Sequence, residues 1–280
     1  MYLTATLPPT LQPAFLQTAG LDAQTITICR DESTTRTNIT YQVLEYTRGT
    51  LEKVLIELIA AKRRKYGPKA QIIVYYLTID ETKRLARLLQ CSAYYREIGS
   101  DEKKARIVRS FTLGIEKLYT ATNMLGLRLD AVGVRVVIHV AMCPLLLQYV
   151  QESGRAGRTG LDSDSIVLRA CYATKGGRVE KALGYKLERP AKEFLTGESC
   201  RRIAIDKHID GRQNRQQCEL GESKCNICEQ HSSSTKRQAV EEEQEEPEPK
   251  TQANTAAIAA EEQRKDLERA MVVKERRVEI

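Results

Sequence analysis

The 280-residue sequence has no run near the ~18 consecutive apolar residues that a membrane-spanning helix needs, which excludes a protein crossing a bilayer on helices. MYLTATLPPT lacks a basic stretch followed by an apolar one, so it does not read as a secretory leader. Eight cysteines are too sparse for a disulfide-held scaffold. No internal repeat is visible. What is present is ordinary in amount: 41% of residues are hydrophobic and 29% charged, as in a soluble globular chain. The length suits one or two domains of ~100–200 residues each.

The charge is unevenly placed. The whole chain carries +7, but residues 231–280 hold nine basic and twelve acidic side chains, which leaves +10 on the first 230. A basic body with an acidic tail points to a polyanionic partner, nucleic acid above all, with plain solubility as the bland alternative. Residues 232–255 are low-complexity and acidic and are expected to be disordered, and 256–280 read as a charged helix.

Residues 1–38 are rich in Thr and Pro and weakly periodic. Beyond them strands and helices alternate. Strands are expected at 39–46, 71–77, 116–122, 134–140 and 165–170. Helices are expected at 51–65, 81–90, 100–111 (with Ser100 as N-cap) and 144–154 (with Pro144 in its first turn). Strands apolar on both faces argue for an α/β fold, a parallel sheet covered by helices on both sides. Ligands in such folds bind at the carboxyl ends of strands, so the loops after 77, 122 and 140 are the informative ones. Cys29, Cys91, Cys143 and Cys171 fall in or beside strands and read as small buried hydrophobes. Lys62-Arg63-Arg64-Lys65 reads first as a solvated helix end and second as a phosphate contact or nuclear-import patch.

Gln151-Glu152-Ser153-Gly154-Arg155-Ala156-Gly157-Arg158-Thr159-Gly160 is the sharpest motif. Two arginines three apart at a helix end present guanidinium forks suited to phosphate oxygens, and the glycines permit close backbone approach. Its alternative is a glycine-rich turn with solvated arginines. Cys200-x17-Cys218-x6-Cys225-x2-Cys228 supplies four thiolates, enough to close a tetrahedral zinc site; the alternative is four free thiols. His208 is a competing ligand or an exposed helix residue.

The arginine motif resembles motif VI of superfamily 2 helicases, specifically of the RecQ family, whose version reads QESGRAGRDG. Four further stretches resemble that family in order and spacing. They are Thr4–Pro9 (motif III), the inter-lobe segment Arg30–Ile39, residues 72–95 (motif IV and the next strand), and Ala121–Asp130 with VGVRVVIHV (motif V). The wording is closest to the telomere-linked RecQ-like helicases. RecQ proteins also carry a four-cysteine module on a helical hairpin beginning CRR, which Cys200-Arg201-Arg202 matches.

The resemblance implies the C-terminal portion of an ATP-dependent 3′–5′ DNA helicase acting in recombination, repair or telomere maintenance in the nucleus. It implies a first-lobe remnant and linker at 1–45, a second RecA-like lobe at 46–195, a zinc module at 196–231 and a tail at 232–280. Gln151, Arg155 and Arg158 would sense and activate the nucleotide; Gly126, Asp130, Gly154 and Gly157 would line its site. Thr78, Thr122 and Asn123 would contact single-stranded or duplex DNA, and Cys200, Cys218, Cys225 and Cys228 would hold a structural zinc. ATP and Mg²⁺ would need a first lobe to complete their site, because these residues include no GxxxxGK[ST] phosphate cradle and no acidic tetrad after an apolar strand. The chain by itself is therefore expected to be inactive. The rival reading is a truncated, non-catalytic DNA-binding or interaction module. Arg128 stands where the family has Gly and Tyr95 where it has His, and both departures count against full competence.

Overall fold

The computed structural model describes residues 6–29, 33–122, 131–173, 179–183 and 186–233. Among them, β1 (Ile39–Thr47), β2 (Gln71–Tyr76), β3 (Ser92–Tyr94), β4 (Leu118–Thr122), β5 (Val134–Val140), β6 (Ser163–Ala173) and β7 (Val179–Lys181) form one sheet. Its order is β1-β6-β5-β2-β4-β3, with every neighbour parallel. The exception is β7, which runs antiparallel against the end of β6.

The helices divide between the two faces. On one, α2 (Leu51–Tyr66) and α3 (Ile79–Leu89) bury Leu55, Ile59 and Leu85 against Ile72, Val74, Ile138 and Ile166. On the other, α4 (Asp101–Thr112), α5 (Leu146–Ser153), α6 (Arg189–Thr196) and α7 (Arg201–Ile205) cover Tyr41, Ile73, Tyr119 and Val137. The strands are apolar on both faces because helices bury both. Ser100 caps α4 as its position before two acids predicts, its hydroxyl accepting from the Lys103 amide at 3.4 Å.

Several expectations are corrected. The strand expected at 39–46 runs one residue further: β1 pairs with β6 over nine positions, from Ile39 with Ser163 to Thr47 with Cys171. The Thr/Pro-rich start contains α1 (Gln12–Ala19), ended by Gly20 at φ 63°; it buries Leu16 alone, too little to leave a stripe in the sequence. Helix α5 starts at Leu146, not at Pro144. Glu188 sets that start, accepting the Leu146 amide at 2.7 Å from 42 residues away. Cys29 is exposed, in the segment between α1 and β1, and not a buried hydrophobe. Lys62 and Lys65 are not merely solvated: they reach the fully buried Asp164 at 2.8 and 3.5 Å. The compact body ends at His231, and the tail beyond Ser233 lies outside the described residues, as do Thr4, Ala5, Arg30, Asn123, Gly126, Arg128 and Asp130.

Candidate functional site

Helix α5 delivers the arginine loop, residues 154–162. Of the motif's side chains, Glu152, Ser153 and Ala156 are buried, Gln151 and Arg155 half-buried, and Arg158 exposed. The buried ones explain why the helix sits where it does. Glu152 accepts from His139 Nε2 at 2.8 Å, from the Cys143 thiol at 3.3 Å and from Gln148 at 3.4 Å. That knot ties α5 to β5, and Tyr75, the register partner of His139 on β2, stacks on its ring at 5.2 Å. Burial against Glu152 pushes the Cys143 thiol well up, so it stays protonated.

The loop itself is pinned at the amino ends of the strands. The Gly157 amide donates to Val134 O at 3.0 Å, and Asn38 Nδ2 donates to Gly157 O at 2.9 Å and Leu161 O at 2.7 Å. Gly157 sits at φ 67°, and a Cβ there would lie 2.5 Å from Asn38 Nδ2. Its missing side chain thus makes room for the linker, a reason distinct from access for a phosphate. Gly154 is in the ordinary helical region at φ −64°. Arg155 and Arg158 stand on a loop at the amino edge of the strands, opposite the loops after 77, 122 and 140. Thr78 and Thr122 are at the carboxyl edge, beside one another where Tyr76 pairs with Thr122. Thr78 is exposed and caps α3, accepting from the Glu81 amide, whereas Thr122 is buried. Tyr95, in the segment between β3 and α4, lies under Lys83 Nζ at 4.8 Å.

Arg155 is held by a hydrogen bond to the buried Tyr75 hydroxyl. Arg36, from the linker, sits close enough to Arg158 that, after burial, the neighbouring positive charge is the main influence lowering its pKa. Two guanidinium groups kept together at a surface favour an anion between or above them.

Among the described residues, a second constellation is the cysteine cluster. The sulfurs of Cys200, Cys218, Cys225 and Cys228 all lie within 4.8 Å of one another. Cys200 is 3.6 Å from Cys218 and 3.8 Å from Cys225. A tetrahedron of ~2.3 Å metal–sulfur bonds has edges of about 3.8 Å, so these spacings fit one central ion. Backbone amides of Arg201, Cys218 and Cys225 point at Cys225, Cys228 and Cys218 sulfurs at 3.5, 3.4 and 3.2 Å, which favours thiolates. Hydrogen bonds from Cys200 and Cys218 hold the Cys225 thiol far below the usual range. His208 takes no part: its Nε2 is 2.9 Å from Glu193.

Residues 50–160 match the family described as the helicase conserved C-terminal domain. The chain is 26% identical over 210 residues to a putative ATP-dependent DNA helicase Q1 of Caenorhabditis briggsae, covering 71% of this chain and 33% of that protein. It is 26% identical over 210 residues to the RecQ-like DNA helicase blm-1 of Caenorhabditis elegans (69% and 21%). It is 25% identical over 246 residues to the ATP-dependent DNA helicase RecQ of Pasteurella multocida (81% and 36%). These matches support a RecQ-like superfamily 2 helicase C-terminal region. It spans from about a fifth to about a third of the length of these relatives.

The matched span takes in Thr78, Thr122, α5 and the arginine loop to Gly160, and leaves out the linker and the cysteine cluster. Those outlying parts carry residues that sequence reasoning missed in the RecQ-like region. Arg202 is fully buried and donates to the carbonyls of Arg36 (3.0 Å), Ile39 (2.9 Å), Thr37 (3.3 Å) and Ser223 (3.4 Å). Arg201 donates to Phe194 O at 2.6 Å and Gly197 O at 3.1 Å, fastening α6 to the cluster. Both belong to the CRR triplet, the one signal that could have found them. Asn38 and Arg36 had no such signal beyond lying in the linker stretch.

Proposed function

We propose that this chain is the C-terminal part of an ATP-dependent 3′–5′ DNA helicase of RecQ type, and that it supplies the arginines of a nucleotide site completed by a first RecA-like lobe. The arginine loop carries the reading: Arg155 and Arg158 flank a glycine locked against Asn38, on a lobe whose sequence holds no phosphate cradle of its own. Held in this way, the two guanidiniums bind developing phosphoryl charge without first having to be ordered. Gln151 lies four residues before Arg155 and orients the same ligand. The carboxyl edge, with Thr78 exposed and Thr122 beside it, and with Asn123 next in the chain, tracks the DNA backbone through phosphate contacts that are largely independent of sequence. The family resemblance assigns Gly126, Asp130, Gly154 and Gly157 to the nucleotide site.

Zinc fits the cysteine cluster, where four protein thiolates leave no open position; when bound, it closes the module and performs no chemistry.

The test supplies a first lobe bearing the phosphate cradle and measures DNA-stimulated ATP hydrolysis. The pair is expected to turn over ATP, and Arg155→Ala to cut turnover by ~10³-fold or more. Wild-type turnover in the variant would remove the role of Arg155. The second reading, a non-catalytic DNA-binding module, is favoured by the +10 charge on the first 230 residues. It requires salt-sensitive binding to single-stranded DNA and no ATPase gain on adding the lobe.

A further inference from the structure

We infer that the linker segment Arg36–Asn38 is a strut through which the cysteine module sets the position of the arginine loop, with Asn38 as the positioning residue. The inference rests on the zinc reading above.

The lower end of the strut is gripped twice by the module. Arg202, two residues from Cys200, binds the carbonyls of Arg36, Thr37 and Ile39. Ser223, on the segment between Cys218 and Cys225, donates its amide to Thr37 O at 2.7 Å. Glu222 on that same segment faces Arg202 at 3.4 Å. These two grips come from stretches of chain joined both by the four sulfurs and by side chains: Arg202 meets Ser223 O and Glu222, and Arg215 bridges Asp206 and Glu222, while Cys200 opens α7 and Cys218 and Cys225 bracket a segment without regular secondary structure. A metal that binds all four sulfurs thus adds a clamp across both grips, and its loss loosens the bracketed segment while the bonds of Glu222 to Arg202 and Arg215 remain.

The upper end is Asn38. Its amide spans the arginine loop, donating to Gly157 O and Leu161 O, while its own carbonyl accepts the Ser163 amide at 2.9 Å. The fit has no slack, since Gly157 has no room for a Cβ beside Asn38 Nδ2. Arg36, at the foot of the strut, lies close enough to Arg158 to feel its charge. Movement at the module therefore reaches Arg155 and Arg158 over three residues of backbone, with a hydrogen bond at each joint.

Hydrogen exchange of the intact chain at pH 7, with zinc or with a chelator, reads this directly at the Gly157 and Gly160 amides, which donate at 3.0 and 3.1 Å. In the wild type, chelation is expected to speed both amides by about tenfold, the scale of one lost hydrogen bond. Asn38→Ala is expected to keep its metal and to exchange about tenfold faster already, with little added by chelation. Two independent structural weaknesses would instead multiply to about a hundredfold, and that result overturns the strut. Asn38→Asp, of equal size but without the N–H donors, repeats the test without a cavity. A chain that binds zinc, and in which chelation speeds residues 200–228 but leaves 157 and 160 unchanged, overturns the strut alone. A chain that binds no metal overturns the zinc reading and the strut with it.

Discussion

Arg202→Met is the most informative single change for the energetics of this fold. The guanidinium is fully buried, and its two best bonds, to Arg36 O and Ile39 O, are 3.0 and 2.9 Å long. Hydrogen bonds from a charged donor contribute about 1.5–3 kcal/mol each. The longer contacts to Thr37, Ser223 and Glu222 add less, as does the Tyr41 ring 5.0 Å away. Methionine fills much of the same volume and removes the cost of burying a charge, which offsets part of the loss. Glu222 keeps Arg215 at 2.7 and 3.1 Å, so its carboxylate is not stranded. The net expectation is a loss of about 3 kcal/mol, mostly from carbonyls left buried without donors. Urea unfolding at pH 7 in excess zinc measures it: with a slope of about 2 kcal/mol/M the midpoint falls by about 1.5 M at unchanged slope. Arg212→Met is the control, since Arg212 pairs with Glu219 and Asp206 from a partly exposed position, and about 1 kcal/mol or less is expected. A shift below about 0.5 kcal/mol for Arg202→Met would refute the view that these carbonyls depend on it.

Metal analysis should find about one zinc per chain, and Cys225→Ser should release it; unchanged metal content in that variant would remove Cys225 from the ligand set. Alkylation should label the exposed Cys29 first. Burial, with Glu116 close by, pushes the Cys91 thiol up to about 12. A raised thiol stays neutral until pH passes its own pKa. Cys91 labelling should therefore keep climbing about tenfold per pH unit beyond ~8.5, where an ordinary thiol levels off; a plateau near pH 9 contradicts this. Gly157→Ala should cost about 1–3 kcal/mol, from the positive φ and the clash with Asn38 together. Gly160→Ala has the strain without the clash and should cost less, and equal losses by thermal melting would count against the interlock.

The alternation of strands and helices was legible because each core element is amphipathic or two-sided over its own length. β5 is an example: VRVVIHV is buried at six of seven positions and coincides with its expected range. The four cysteines were legible as a set because metal ligation needs fixed residue types at short spacing, and their sulfurs do come together. What the sequence hid were contacts between distant stretches. Nothing local marks Glu188 as the partner of the Leu146 amide, or Asn38 as the partner of Gly157, 119 residues away. His139 read as one more apolar-strand residue, and only the packed structure shows it bonded to Glu152. The strand-end rule for ligand sites does not reach the arginine loop. It describes loops that leave strands, whereas this loop leaves helix α5 and enters strand β6.

The pairing of β1 with β6 bears on how this chain can be cut. Trimming at residue 46 looks harmless on the page, yet it would strip β6 of a neighbour matched to it over nine residues. Ile166, Val167 and Leu168 would then border an open row of amides and carbonyls in an apolar strand. Such an edge recruits strands from other copies. A fragment beginning at Asn38 should stay dispersed, and one beginning at Tyr46 should precipitate or pair with itself.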